Sequence, residues 1–247
     1  MKKIIALILA LCIIATGVVL CFVFDVFSFL DKGGEEVDGV EIFKNLYAVS
    51  EPTKVVVSQT TLLGNVALKG SSTLATGALN DGSTATVYTY NYEVLQSVQA
   101  GAGSVITPIM GEPLKGSREY VEGKGVRYDG GGWDETGTNF APKAGSIAIN
   151  LDASKLKNCA YTSDGELQTL SFTVEAKNVA SVFGSDAADI ASDVNVVITA
   201  NVAVVTGITI SYSEELIPED EDLVYPEANV TISTVYTYGI EEITLTR

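Results

Sequence analysis

Between Val194 and Leu245 apolar residues recur at every second position. Val194, Val196, Ile198, Val202 and Val204 are followed by Ile208, Ile210 and Tyr212, and further on by Val230, Ile232, Tyr236, Tyr238 and Ile240. A period of two with Val, Ile, Thr and Tyr enrichment is the signature of half-buried β-strands. The spacing predicts two long strands forming a broad antiparallel hairpin. Their connection, Glu214–Glu227, carries Pro218, Pro226 and the run Glu219-Asp220-Glu221-Asp222, which suits a solvated loop. Whatever else this chain does, it must supply a cover for one face of that hairpin.

The same alternation appears upstream. Lys54 begins a β-like stretch, and Gly64 and Gly70 suggest bends or bulges in it. Asn80-Asp81-Gly82 is a turn signal. Thr84 to Leu95 reads as a strand with Tyr88, Tyr90 and Tyr92 on one face. Gln99 to Gly116 is dense in Gly and Pro and reads as loop. A strand pair is expected at Arg118–Glu122 and Val126–Tyr128, around Gly123-Lys124-Gly125. Ser146–Leu151 alternates again, and Leu167–Ala176 places Leu170, Phe172 and Val174 together. Gly39 to Val49 reads equally as a short strand or a short helix. Asp152–Asn158 suits a short helix capped by Asp152 or Ser154, and Asn178–Ile190 has weak helical character. The fold class that follows is α+β: a large curved antiparallel sheet with one or two short helices, after an N-terminal transmembrane helix.

That last element rests on Ile4–Phe24, which runs without a charge after Lys2 and Lys3. As a helix it spans about 31 Å, against a hydrocarbon core of about 30 Å. No small-x-small cleavage site follows, so an uncleaved signal anchor is expected rather than a cleaved leader. Cys12 and Cys21 each follow a leucine, which fits a lipidation site poorly. The lysines place the N-terminus inside and the remainder outside. The domains expected are residues 1–30 as anchor, 31–38 as tether and 39–247 as an extracytoplasmic β-rich domain. The expected location is the cell membrane, in a single pass.

Composition removes several chemistries. The chain has no histidine, so Ser-His-Asp and Cys-His catalysis and His-containing zinc sites are excluded. A net charge of −16 disfavours nucleic acid as a partner. Hydrophobic residues make up 47% and charged ones 19%, so a packed core is expected instead of disorder. Cys159 is the one cysteine beyond the apolar segment and reads as a small buried residue.

Few motifs remain. Ser154-Lys155-Leu156-Lys157 matches Ser-x-x-Lys, but no Lys-Thr-Gly follows and the domain is too small for a penicillin-recognising enzyme. Asp129, Asp134 and Glu135 lack the spacing of a calcium loop. No catalytic residue, metal site or cofactor is expected. Tyr88, Tyr90, Tyr92, Tyr236 and Tyr238 are the candidate ligand-binding residues. They suit either a sheet face packed under helices or the wall of an apolar cavity.

Three stretches resemble a bacterial family. Arg118–Trp133 resembles the tyrosine, Gly-Lys, tyrosine, Gly, tryptophan hairpin of lipoprotein-carrier-like half-barrels. Leu167–Gly184 is similar to their strand-then-helix step, and Ser233–Gly239 to their last strand. The family includes periplasmic lipoprotein carriers and mycobacterial lipid-binding lipoproteins. The resemblance implies a curved antiparallel sheet wrapped round helices, with an apolar cavity for acyl chains. The expectation is a membrane-anchored, extracytoplasmic, non-enzymatic domain that binds a lipid or other apolar ligand, or an envelope protein. The alternatives are an adhesion or surface-assembly module and a carboxylate-dependent hydrolase of cell-wall glycans.

Overall fold

A computed structural model describes residues 38–64, 66–100, 106–135, 149–214, 227–239 and 241–245. The expected anchor, the tether up to residue 37, the acidic run Glu219–Asp222, Ile240 and the start of the Ser146–Leu151 alternation lie outside the described residues. Asp38–Arg247 forms one compact unit. No helix among the described residues is long and apolar enough to cross a membrane.

The unit opens with α1 (Gly39–Val49), so Gly39–Val49 resolves as a helix. Asp38 caps it, its carboxylate accepting from Val40 and Glu41 N–H at 3.1 and 3.2 Å. Val40, Phe43 and Tyr47 recur at i, i+3 and i+7, so one stripe faces inward. At the far end the Ser50 hydroxyl donates to the Leu46 carbonyl and accepts from Val205 N–H. That single hydroxyl ties the helix to the sheet.

Twelve strands follow among the described residues: β1 (Lys54–Leu63), β2 (Val66–Ala78), β3 (Thr84–Tyr92), β4 (Leu95–Ala100), β5 (Ile106–Met110), β6 (Leu114–Val121), β7 (Gly125–Tyr128), β8 (Leu156–Ser163), β9 (Gln168–Val174), β10 (Val194–Ala200), β11 (Val205–Glu214) and β12 (Ala228–Thr237). Ten of them form one sheet in the order β7-β6-β3-β2-β1-β12-β11-β10-β9-β8, and β4 pairs with β5 separately. Every pairing in the large sheet is antiparallel. It consists of two meanders, one before and one after residues 129–155, joined where the first strand pairs with the last. The sheet is open, with β7 and β8 at its edges.

Several expectations change here. The single strand expected from Val194 to Tyr212 is two strands. The Asn201 carboxamide accepts from Ala203 and Val204 N–H and turns the chain between them. The expected Gln99–Gly116 loop holds the end of β4, all of β5 and the start of β6. Asp152 caps one 3-10 turn, Ala153–Lys155, and Leu156 already belongs to β8. Asn178–Ile190 is α2 (Val179–Phe183) with a 3-10 turn on each side. Ile149 and Leu151 are buried core residues outside any strand. Cys159 is exposed, because Asn158 takes φ +52 within a bulge of edge strand β8 and turns its neighbour outward.

The core lies on one face of the second meander. Leu170, Phe172 and Val174 of β9 stand beside Val194, Val196 and Ile198 of β10, and these beside Ile208 and Ile210 of β11. Phe43 of α1 and Val179 and Val182 of α2 close over them. Phe43 is fully buried, with the Tyr161 ring edge-on at 6.4 Å. At the outer end of the first meander the opposite face is covered instead. There Ala85, Glu119 and Val121 are buried, Glu119 pairs with Arg127, and the Arg127 guanidinium lies 4.8 Å from the Trp133 ring centroid.

Candidate functional site

The alternation Tyr88-Thr89-Tyr90-Asn91-Tyr92 puts three rings on one face of β3. The register decides which face. Tyr88 lies opposite Leu74 of β2, Leu74 opposite Val55 of β1, and Val55 opposite Tyr236 of β12. Tyr88, Tyr90 and Tyr92 therefore share the face that α1 and α2 cover further along. Among the described residues, the sheet continues beyond α1 and α2 without a further helix over it.

The rings form a tilted series, with centroids 5.7 Å apart from Tyr88 to Tyr90 and 6.5 Å from Tyr90 to Tyr92. Glycines seat them. Tyr92 leans over Gly70, where an added Cβ would overlap its ring, and Tyr90 leans over Gly116 in the same way. Gly70 is therefore no bend, as its sequence context suggested, but a seat inside a regular strand. Such pairs let an aromatic ring lie flat on the sheet where a side chain would hold it off. Beside them, Arg118 stands 5.6 Å from the Tyr128 ring centroid. Tyr128 and Leu114 are more than half exposed. Next to Tyr92 lies a shallow groove of about 160 Å³, bordered by Gln59, Thr61, Leu68 and Glu93.

Tyr236 and Tyr238 sit differently. Tyr236 is buried in the core, and the Tyr238 hydroxyl donates to the Val205 carbonyl. Burial, and then the neighbouring phenols of Tyr236 and Tyr238, hold the Tyr47 hydroxyl far above its ordinary range. Burial likewise raises Tyr236 and Tyr238, offset in part by hydrogen bonds with Tyr47 and Ser50. These phenols, with Ser50, stitch the C-terminal end of α1 to the sheet. The five tyrosines singled out by period thus share a face but form two groups, one half-exposed and, among the described residues, not covered by a helix, the other packed beneath α1.

The remaining candidates separate. Ser154 bonds to Asp152 and Lys157 pairs with Glu175, so the Ser-x-x-Lys residues are engaged apart from one another. Asp129, at φ +49, accepts from Ser117 N–H. Among the described residues, no three metal-ligating side chains converge. Although Cys159 is exposed, partial desolvation of its thiol raises its pKa, with the Asp38 carboxylate adding to it. Sequence reasoning missed Arg118, Tyr128 and Leu114 as neighbours of the tyrosine series, since only the β3–β6–β7 pairing brings them there.

No protein-family model and no curated protein matches the sequence. Among solved structures, the chain is similar to a DUF1329 family protein from Desulfovibrio piger, at 9% identity and a TM-score of 0.23, covering 82% of this chain and 93% of that one. It is also similar to a Vibrio parahaemolyticus protein described as an outer membrane lipoprotein-sorting protein domain, at 9% identity and a TM-score of 0.21, covering 83% of this chain and 94% of that one. Neither likeness is close enough to carry an argument about function.

Proposed function

We propose that this chain is a non-enzymatic binding domain that takes an apolar ligand or envelope component on its tyrosine half-sheet. In this reading residues 4–24 hold it on the extracytoplasmic side of the cell membrane. The observation that supports it is the division of one sheet face. The second meander buries that face under α1 and α2, while the first presents Tyr88, Tyr90 and Tyr92 on it, half-exposed and seated on glycines. A tyrosine offers an apolar ring and a hydroxyl that stays hydrated, so such a strip stays wettable while it waits for a ligand. Each methylene laid against it and removed from water contributes about 0.8 kcal/mol. The groove beside Tyr92, about 160 Å³, is smaller than the roughly 300 Å³ of a small enclosed ligand site. The reading is therefore of a ligand lying along the strip.

The test is titration of residues 38–247 with a fluorescent fatty-acyl probe. Saturable binding that weakens several-fold in Tyr90→Ala is expected. Absence of saturable binding would reject the reading. A second reading, an assembly module, is favoured by edge strand β8, which among the described residues pairs on one side only and could accept an added strand. Concentration-dependent self-association in sedimentation, without probe binding, would favour it.

A further inference from the structure

The face of the sheet turned away from the helices has its own chemistry. Across the middle strands it mixes hydroxyls and amides with a few aliphatic side chains, Val56, Leu62, Val197 and Val235. Ser58 faces Ser71, and Ser71 faces Asn91; on the other side Ser58 faces Ser233, and Ser233 faces Thr209. Two residues along, Thr60 stands between Lys69 and Thr231, and Thr231 faces Ser211. For a chain with a net charge of −16 this is an unusually neutral surface.

Over most of it the hydroxyls are already engaged with one another. Thr209 pairs with Ser233, Ser211 with Thr231, Ser213 with Asn229, and Thr173 with Asn195. Such cross-strand pairs are a way for a sheet to satisfy its own polar face. One place differs. On β1, β2 and β3 a depression of about 290 Å³ is lined by Ser58, Thr60, Lys69, Ser71, Asn91 and Glu93. No hydrogen bond joins the side chains of Ser58, Thr60, Ser71 or Asn91 to any other described residue. Glu93 is held in place, one of its oxygens accepting from Lys69 N–H at 2.7 Å.

Ser58, Thr60, Ser71 and Asn91 therefore frame the depression with donors and acceptors that no described protein group takes up. From Ser58 to Asn91 it spans two strand spacings, about 9.5 Å, and from one row to the next along a strand about 6.7 Å. Its volume is near the lower limit of ligand clefts, about 300 Å³. Hydroxyls and the carboxamide both donate and accept, the ammonium only donates, and the carboxylate only accepts. One Lys and one Glu leave the frame without net charge. A ligand that matches it must itself alternate donors and acceptors over a ring-sized area and carry no charge.

We propose that this groove binds an uncharged oligosaccharide, one sugar ring seated over the Ser58–Ser71–Asn91 row. Each ring hydroxyl both donates and accepts, so vicinal hydroxyls can bridge Asn91 to Ser71 while Lys69 and Glu93 hold the neighbouring pair. An acidic polysaccharide is disfavoured, because a single lysine faces a strongly acidic chain. The site lies on the opposite face from Tyr88, Tyr90 and Tyr92, so it stands or falls independently of the proposed apolar-ligand function.

The test uses the full chain in a sugar-free zwitterionic detergent, screened on an array of neutral and anionic oligosaccharides, with hits titrated calorimetrically. Saturable binding to a neutral oligosaccharide, unchanged between low and high salt, is expected. Asn91→Ala and Ser71→Ala should each weaken it roughly three- to tenfold, the effect of one lost hydrogen bond. Thr173→Ala, on the same face but outside the groove, should bind as the wild type does. All three positions lie away from the core, and retained thermal unfolding confirms that the variants fold. Three results would each overturn the proposal: no neutral oligosaccharide bound, binding to anionic sugars only, or groove variants that bind as tightly as the wild type.

Discussion

One face of one sheet is core at one end and carries half-exposed tyrosines at the other, and a pair of truncations measures that difference. Phe43→Ala removes a ring that is 0% exposed, packed among the β-strand side chains and against Tyr161. The lost transfer energy plus the cavity left behind costs about 3–5 kcal/mol for a buried Phe→Ala change. In a domain of this length each kcal/mol moves the midpoint by about 2–4 °C, so Tm should fall by roughly 6–20 °C. Tyr90→Ala removes a ring of similar size from the same face. That ring is half-exposed and flanked by Tyr88 and Tyr92 at 5.7 and 6.5 Å. Losing those two ring contacts costs about 1–3 kcal/mol, and truncation uncovers Gly116 without opening an enclosed cavity. Urea unfolding of residues 38–247, followed by circular dichroism at constant m-value, gives both figures. If Tyr90→Ala cost as much as Phe43→Ala, the tyrosines would be core and the proposed binding strip would not exist. If Phe43→Ala cost under about 1 kcal/mol, α1 would not be the cover of the second meander.

Two further predictions follow from the same geometry. Burial holds the Tyr47, Tyr236 and Tyr238 phenols above their ordinary value of 10.0. The fold keeps protons that the unfolded chain releases near pH 10. Stability is therefore fully present below pH 10 and falls above it, by up to about 1.4 kcal/mol per pH unit for each of the well-buried Tyr47 and Tyr236, and by less for the more exposed Tyr238. Urea midpoints measured across that range should drop, and Tyr47→Phe should flatten the drop; a midpoint constant to about pH 11 would contradict it. Gly123 and Gly125 both have positive φ, but an added Cβ meets nothing at Gly123 and overlaps the Asp134 carbonyl at Gly125. Gly123→Ala should cost about 1 kcal/mol for the backbone conformation alone, and Gly125→Ala at least about 2. Equal thermal shifts for the two would show that Asp134 does not close the edge of β7.

The strands were readable where the parity of apolar residues changed at a turn signal. Asn80-Asp81-Gly82 and the Gly123–Gly125 turn ended strands where expected, and Leu170, Phe172 and Val174 share the core face. Parity failed where it carried on through a turn. Val202 and Val204 keep the even spacing across a reversal made by Asn201, so two strands looked like one. Pro108 argued against a strand, yet it fits β5, because among the described residues that strand pairs with β4 alone and its other edge calls for no N–H. Val40, Ile42, Phe43 and Tyr47 suit either helix or strand; the Asp38 cap decides for the helix. For the site, the tyrosine spacing was legible in the sequence because it is local. Its neighbours Gly70, Gly116, Arg118 and Tyr128 were not, because they depend on which strands lie beside β3. The groove on the opposite face was hidden for the same reason: serines and threonines at alternate positions look alike until the register shows which ones bond to each other.

The pairing of the first strand with the last has a kinetic consequence. Each meander is built from neighbours in sequence and can zip from its hairpins, but Lys54 meets Thr237 and Leu63 meets Ala228 only when nearly the whole domain has been made. Until then β1 has no partner on one side, and its Val55 side chain awaits the core that only the second meander supplies. Closing a loop of that length is slow relative to hairpin formation, so the seam between β1 and β12 is expected to form last. A chain truncated before Ala228 would carry an unpaired central strand, open to pairing with another chain. The domain therefore depends on its final strand for protection from aggregation as well as for stability.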